Sequence, residues 1–143
     1  MAVLCCNAQA ADVVVGSKRF TESYILGEIL AQRITKHTGA RAVHKQGLGN
    51  TAIVFAALKS GAIDVYPEYT GTLAFELLGL KAVPSLQELN LALAPHGVQA
   101  GVLLGFANSY ALALPADKAT ALRVTRISDL AQHPNLRYGL TPE

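Results

Sequence analysis

The sequence predicts an α/β fold built on a parallel sheet, and two observations carry that prediction. Short β-branched or apolar runs alternate with longer segments of helical spacing, in the order strand, helix, strand, helix, strand. Strands joined in this way run parallel, through right-handed crossovers. Three motifs follow the first three strands in turn: "GSKRFT" (16–21), "GLGN" (47–50) and "YPEYTGT" (66–72). In open parallel sheets ligands bind beyond the carboxyl ends of the strands, so all three motifs fall where a site is expected.

Each element has its own justification. Residues 12–16, "DVVVG", are a compact β-branched run stopped by glycine, which reads as a buried strand. Thr21 is placed to cap a helix whose apolar stripe is Ile25, Leu26, Ile29, Leu30 and Ile34, and Gly39 ends it. A second strand near 41–46 leads into "GLGN". The helix opening around Asn50 has the stripe Ile53, Val54, Ala57 and Leu58 and stops at Gly61. "AIDVY" (62–66) is the third strand, followed by a short helix through Leu73 to Leu78. Ser85 and Glu88 make a capping box before "LNLALA". The apolar stretch 98–114 holds two strand-like pieces separated by "GFANSY", then "ISDLAQH" reads as helical and "LRYGL" as a strand.

Composition narrows the function classes. With 143 residues, 51% apolar and 15% charged, the chain can bury an ordinary core and is unsuited to disorder. The net charge of +2 comes from scattered lysines and arginines with no basic run, which argues against a nucleic-acid partner. No stretch reaches the ~18–20 apolar residues of a membrane-spanning helix. The opening "MAVLCCNAQAA" leads to Ala8-Gln9-Ala10, a small-x-small cleavage pattern, so residues 1–11 are expected to be the remnant of a signal peptide and the protein to be exported. Cys5 and Cys6 are adjacent and have no metal-ligand spacing. Leu4 stands where a lipid-attachment site wants a small residue, so lipid anchoring is not the expectation. The chain stops just past its last strand, as an N-terminal fragment would.

The motifs offer the following chemistry. In "GSKRFTE", Gly16 permits a close turn, Lys18 brings a cation and the helix start favours anions, so the segment suits a carboxylate or phosphate; the alternative is a solvated lysine beside a routine cap. "GLGN" is either a close approach to a ligand or a tight strand-to-helix turn, and it lacks the nucleotide-binding patterns. In "YPEYTGT", Tyr69 can offer a ring face to a cation and Thr72 can hydrogen-bond a carboxylate. Glu68 either pairs with a cation or is solvated, and Tyr66 is assigned to packing. Tyr110 either faces Tyr69 across a hinge cleft or is an edge-strand tyrosine. His37, His44, His96 and His133 are not spaced to share a metal and are read as surface or capping residues. With no G-x-S-x-G, no H-E-x-x-H and no cysteine–histidine pairing, neither an enzyme nor a cofactor is expected.

Taken together and in order, "VVVGSKRFTESYILGEILAQ", "GLGNTAIVFAALKSGAIDVYPEYTGT", "GFANSYALAL" and "ISDLAQHPNLRYGL" resemble the osmoprotectant-binding proteins of ABC importers, the glycine betaine, choline and carnitine family. The resemblance covers nearly everything from Asp12 onward. It implies one parallel-sheet lobe of a type II periplasmic-binding-protein fold, with the second lobe only begun. Residues 12–107 are then the N-terminal portion of the first lobe, and 108–143 the hinge crossing and the start of the second. It also implies that Lys18, helped by Thr72, meets a ligand carboxylate, while Tyr69 and Tyr110 form walls of a tyrosine cage around a quaternary ammonium. An ABC permease in the inner membrane is the implied partner and the periplasm the implied location. Family members continue beyond this length, and their second lobe adds further cage tyrosines and an arginine. A half-built cleft leaves apolar surface that favours a homodimer or a segment-swapped oligomer. "GFANSY" has Ala and Ser where the family commonly shows Asn and Thr. The competing readings are a binding protein for another small zwitterion such as an amino acid, and a self-associating interaction module.

Overall fold

The computed structural model describes residues 12–109 and 111–139; the expected signal-peptide remnant, residues 1–11, lies outside them. The architecture is α/β with parallel pairing, and the chain divides into two compact units at the Gly101–Val102 bond.

In the first unit, β1 (Val13–Gly16) pairs in parallel with β2 (Ala42–Lys45), Val13 opposite Ala42 and Gly16 opposite Lys45. On its other edge β1 meets the segment expected as a third strand. There the pairing shrinks to one bridge, Val15 with Val65, carried by Asp64 N–H to Val14 C=O and Gly16 N–H to Val65 C=O, both 2.8 Å. The Asp64 carboxylate itself accepts from Val14 N–H at 2.6 Å, taking the place of a ladder carbonyl. Pro67, two residues on, has no N–H with which to extend the ladder. β1 is therefore central, which explains why Val15 is fully buried and why its run is uniformly β-branched.

Helix α1 (Thr21–Thr38) forms as expected and ends at Gly39, whose φ of 73° is the left-handed conformation of a helix C-cap. Its start and its buried face both differ from the sequence reading. Thr21 is the first helical residue and not the cap; Phe20 occupies the cap position and makes no side-chain cap bond. The buried face is the i, i+4, i+8 row of Ser23, Gly27 and Ala31, while Ile25 and Ile29 are about half exposed. Small residues win here because α1 lies close against the sheet. A Cβ added at Gly27 would stand 2.5 Å from the His44 ring of β2, so only glycine leaves room for that ring.

Helix α2 (Thr51–Lys59) is capped by Asn50, whose side chain accepts from Ile53 N–H at 3.2 Å. Val54 is buried as expected. Phe55 is buried in place of Ile53, which turns back over the preceding loop. Gly49, at φ 149°, is adopted to the Ile53 side chain: a Cβ there would meet Ile53 Cδ1 at 2.7 Å. A short turn, α3 (Thr70–Thr72), runs into a wider π turn, Leu73–Leu77. Helix α4 (Leu86–Leu93) and a 3₁₀ turn, Ala94–His96, follow. Phe55, Leu73, Leu89 and Leu93 form a buried cluster that fastens α2, the π turn and α4 together.

The capping box of α4 is present as predicted. Ser85 N–H and Oγ–H donate to Glu88 Oε2 at 2.9 and 2.7 Å, and Glu88 N–H donates to Ser85 Oγ at 3.3 Å. Those bonds from the Ser85 hydroxyl and backbone hold the Glu88 carboxyl below its ordinary value. A depressed carboxyl stabilises the fold above the unfolded value, 4.5, and that contribution is lost as the pH falls through the folded value. Ser85→Ala is expected to cost about 0.5–2 kcal/mol at neutral pH. In urea titrations the gap between variant and parent should narrow on acidification.

The second unit is small. Helix α5 (Ala116–Leu122) is followed by a 3₁₀ segment, Ile127–Gln132, in place of the α-helix expected for "ISDLAQH". Asp129 Oδ2 starts that segment by accepting from the backbone N–H groups of Thr125 and Arg126 at 2.8 and 2.9 Å. Leu130 is its buried residue among those described. Neither the two strand-like pieces of 98–114 nor the strand "LRYGL" forms among the described residues; Val102, Leu103 and Leu104 are 83%, 62% and 62% exposed. Apolar, β-branched composition makes a strand only where a neighbouring edge accepts its hydrogen bonds, and no strand among the described residues pairs with these; the Ala100 backbone is instead held by the Asn90 side chain.

Candidate functional site

The three loops that follow β1, β2 and the Val65 bridge meet at the carboxyl end of the sheet. Leu48 N–H donates to Ser17 C=O and Arg19 N–H donates to Gly49 C=O, both at 3.0 Å, so "GSKRFT" and "GLGN" are stitched together by backbone. Gly16 allows the close approach at this corner: a Cβ on it would lie 2.5 Å from Ile63 Cδ1 and 3.2 Å from Leu48 Cδ1. Lys18 N–H donates to Ser23 Oγ at 2.8 Å, which fixes the Lys18 backbone against the first turn of α1.

Lys18 is the centre of the site. Its residue is 7% exposed, and its ammonium donates to Glu68 Oε1 at 2.6 Å and to Thr51 Oγ1 at 3.5 Å. The ammonium also stands 5.4 Å from the Phe20 ring centroid and 5.7 Å from that of Tyr69. Those two rings stack at 6.4 Å with an interplanar angle of 24°. Both faces are thus turned to a cation, which the ring quadrupole favours. Glu68 Oε1 accepts a second bond, from Tyr69 N–H at 2.9 Å, so one carboxylate oxygen ties the lysine to the Tyr69 backbone.

Of the residues expected from sequence, Lys18 and Tyr69 are brought together directly. Thr72 lies in α3, three residues after Tyr69 and half-buried, and the Lys18 ammonium bonds to Glu68 and Thr51 instead. Tyr110 lies outside the described residues. Tyr66 packs, as expected: burial and then the nearby Glu68 charge push its phenol well above the ordinary tyrosine range. Its hydroxyl and Glu68 Oε2 are both buried, and the phenol interacts with the Glu68 carboxylate. Glu68, left open between pairing and solvation, is a buried partner.

Phe20 and Thr51 are absent from the sequence-derived site. Phe20 had a readable signal. Phe20 itself has extended backbone, φ −154°, ψ 156°, within a bend at Arg19–Phe20 that brings its ring and the Lys18 side chain together. Phe20 follows Lys18 by two. Thr51 had none, because its reach depends on where α2 is placed in space.

His44 also departs from its expected surface role. Its side chain is 9% exposed, with Nε2 at 2.9 Å from Ser17 Oγ and Nδ1 at 3.1 Å from Glu28 Oε2. Serine, histidine and carboxylate are thus in series, yet Ser17 is fully buried, so no substrate carbonyl can reach its oxygen. The series locks α1 to the two strands. A surface depression lined by Glu28, Ala31, Thr35, Ala42 and His44 lies along that edge and includes none of Lys18, Tyr69 or Thr72. Among the described residues no group of three or more His, Cys, Asp or Glu is placed to hold a metal, and no helix is long and apolar enough to cross a membrane.

Comparison with known proteins matches residues 11–143 to the family described as the substrate binding domain of ABC-type glycine betaine transport systems. The chain is 48% identical over 66 residues to the glycine betaine-binding protein YehZ of Escherichia coli (strain K12), covering 46% of this chain and 21% of that protein. It is 35% identical over 129 residues to a glycine-betaine-binding protein of Pseudomonas aeruginosa, covering 87% of this chain and 41% of that one. A crystal structure of a glycine betaine/carnitine/choline ABC transporter superposes with a TM-score of 0.62 at 24% identity, over 86% of this chain and 48% of the other. The chain spans less than half the length of each of these relatives.

Proposed function

Because the chain belongs to the substrate-binding domain family of ABC-type glycine betaine transport systems, a family of transport proteins and not of enzymes, we propose that it contributes one wall of a cleft for a quaternary-ammonium osmolyte. The observation that carries this reading is the stacked Phe20–Tyr69 pair with a cation already over both faces, at the carboxyl end of the sheet. Lys18 is the group for a ligand carboxylate, with Thr72 as its hydroxyl partner. Tyr69 and Tyr110 are cage walls, and Phe20 joins them. The resemblance supports residues 12–107 as the first lobe and 108–143 as the crossing to the second. It supports delivery to a membrane permease from the periplasm in the same way.

Calorimetric titration with glycine betaine, choline and carnitine tests the ligand class. Heat of binding with at least one is expected; none at millimolar ligand would sink the proposal. A cation over a tyrosine face is worth about 0.5–2 kcal/mol. Tyr69→Leu should therefore weaken binding by roughly 2- to 30-fold. Tyr138→Leu, at a tyrosine 53% exposed in the second unit, should leave it unchanged.

A further inference from the structure

We propose that Glu68 determines specificity at this site: its carboxylate neutralises Lys18 and so sets how far the site prefers a ligand that carries a carboxylate over one that does not. The inference rests on the proposed ligand class and goes beyond it, because the proposed ligand residues Lys18, Thr72, Tyr69 and Tyr110 do not include Glu68.

The geometry is that of a closed internal pair. Lys18 Nζ and Glu68 Oε1 are 2.6 Å apart, with side chains 9% and 5% exposed. Out of water their attraction is weakly screened, so the pair acts on its surroundings as a neutral unit. A buried lysine alone would draw an anionic ligand group strongly. With Glu68 in place, a ligand carboxylate gains the ammonium only by sharing it or by displacing Glu68. The cation side runs the other way. Lys18 Nζ already stands over the Phe20 and Tyr69 rings, and an incoming ammonium near those rings would meet like charge if Glu68 did not offset it. The second Glu68 oxygen, Oε2, is buried and is not the one that holds Lys18, while the Tyr66 phenol interacts with the same carboxylate. Tyr69 N–H fixes the carboxylate through Oε1 and keeps it beside the cage ring. Glu68 therefore lowers the pull on carboxylates and raises tolerance of a bare cation.

The test compares glycine betaine, which has a carboxylate, with choline, which has none, by calorimetry on the parent, Glu68→Gln and Lys18→Gln. Folding of each is checked by far-UV circular dichroism. In Glu68→Gln the ratio of choline Kd to glycine betaine Kd should rise at least about tenfold, the scale of one modest electrostatic preference. In Lys18→Gln it should fall by a similar factor, because the remaining carboxylate favours a cation and repels an anion. A folded Glu68→Gln whose ratio stays within about twofold of the parent overturns the inference. If that variant does not fold, Lys18→Gln decides, and a ratio that holds still or rises overturns it. A parent that binds neither of these nor carnitine fails the ligand class itself; a parent that binds both, with unmoved ratios in the variants, fails only the role of Glu68.

Discussion

Replacing Lys18 by methionine destabilises the protein by about 3–5 kcal/mol, and replacing Glu68 by leucine in the same molecule recovers most of that loss. The asymmetry follows from burial. Both side chains are nearly out of water, at 9% and 5% exposure, and each is the other's counter-charge at 2.6 Å. Removing one leaves a charge that has lost its hydration and has no partner. Removing both leaves a space that apolar side chains of similar length can fill, and such exchanges of a buried pair are often neutral or stabilising. Urea unfolding of the parent, the two single variants and the double variant measures the coupling directly. A double variant no more stable than Lys18→Met would show that the lost packing, and not the stranded charge, sets the cost. A fold that keeps such a pair where apolar residues would serve points to use of the charges at the site.

Leu89→Ala has a comparable expected effect, a loss of about 2–5 kcal/mol, for a different reason. Leu89 is fully buried and contacts a cluster with Phe55, Leu73 and Leu93. Truncation removes methyl groups from that cluster and leaves a cavity among elements that α2, the π turn and α4 hold in fixed positions. Leu73 directly follows Thr72, so the same cluster anchors one of the proposed ligand residues. Leu91→Ala, on the same helix but 70% exposed, should change stability by no more than about 0.5 kcal/mol. Denaturant midpoints for the two variants give the comparison, and equal losses would refute the assignment of α4's buried face.

Much of the fold was legible because it depends on short-range chemistry. The β-branched run of β1, the Gly39 stop, the helix start around Asn50 and the Ser85–Glu88 box each depend on groups within a few residues, and each is present. The misreadings share a cause. For α1, counting apolar residues chose Ile25 and Ile29, but the depth of the helix against the sheet chose Ser23, Gly27 and Ala31. For "AIDVY", strand composition was right, yet the Asp64 carboxylate and the missing N–H of Pro67 reduce the pairing to one bridge.

The candidate site divides in the same way. That Lys18 and Tyr69 lie near one another could be read from sequence, because the order of strands and loops sends both motifs to one end of the sheet. That the lysine is already engaged by Glu68, fifty positions away, could not. Sequence alone determined the order of elements from β1 to α4, the Ser85–Glu88 cap and the end of the sheet at which the polar motifs gather, since periodicity and local hydrogen bonding specify those. Only the tertiary structure decided which helix face is buried, that Phe20 stacks on Tyr69, and that the cation of the site carries its own counter-ion. Those outcomes depend on distances between segments remote in the chain, and packing sets such distances.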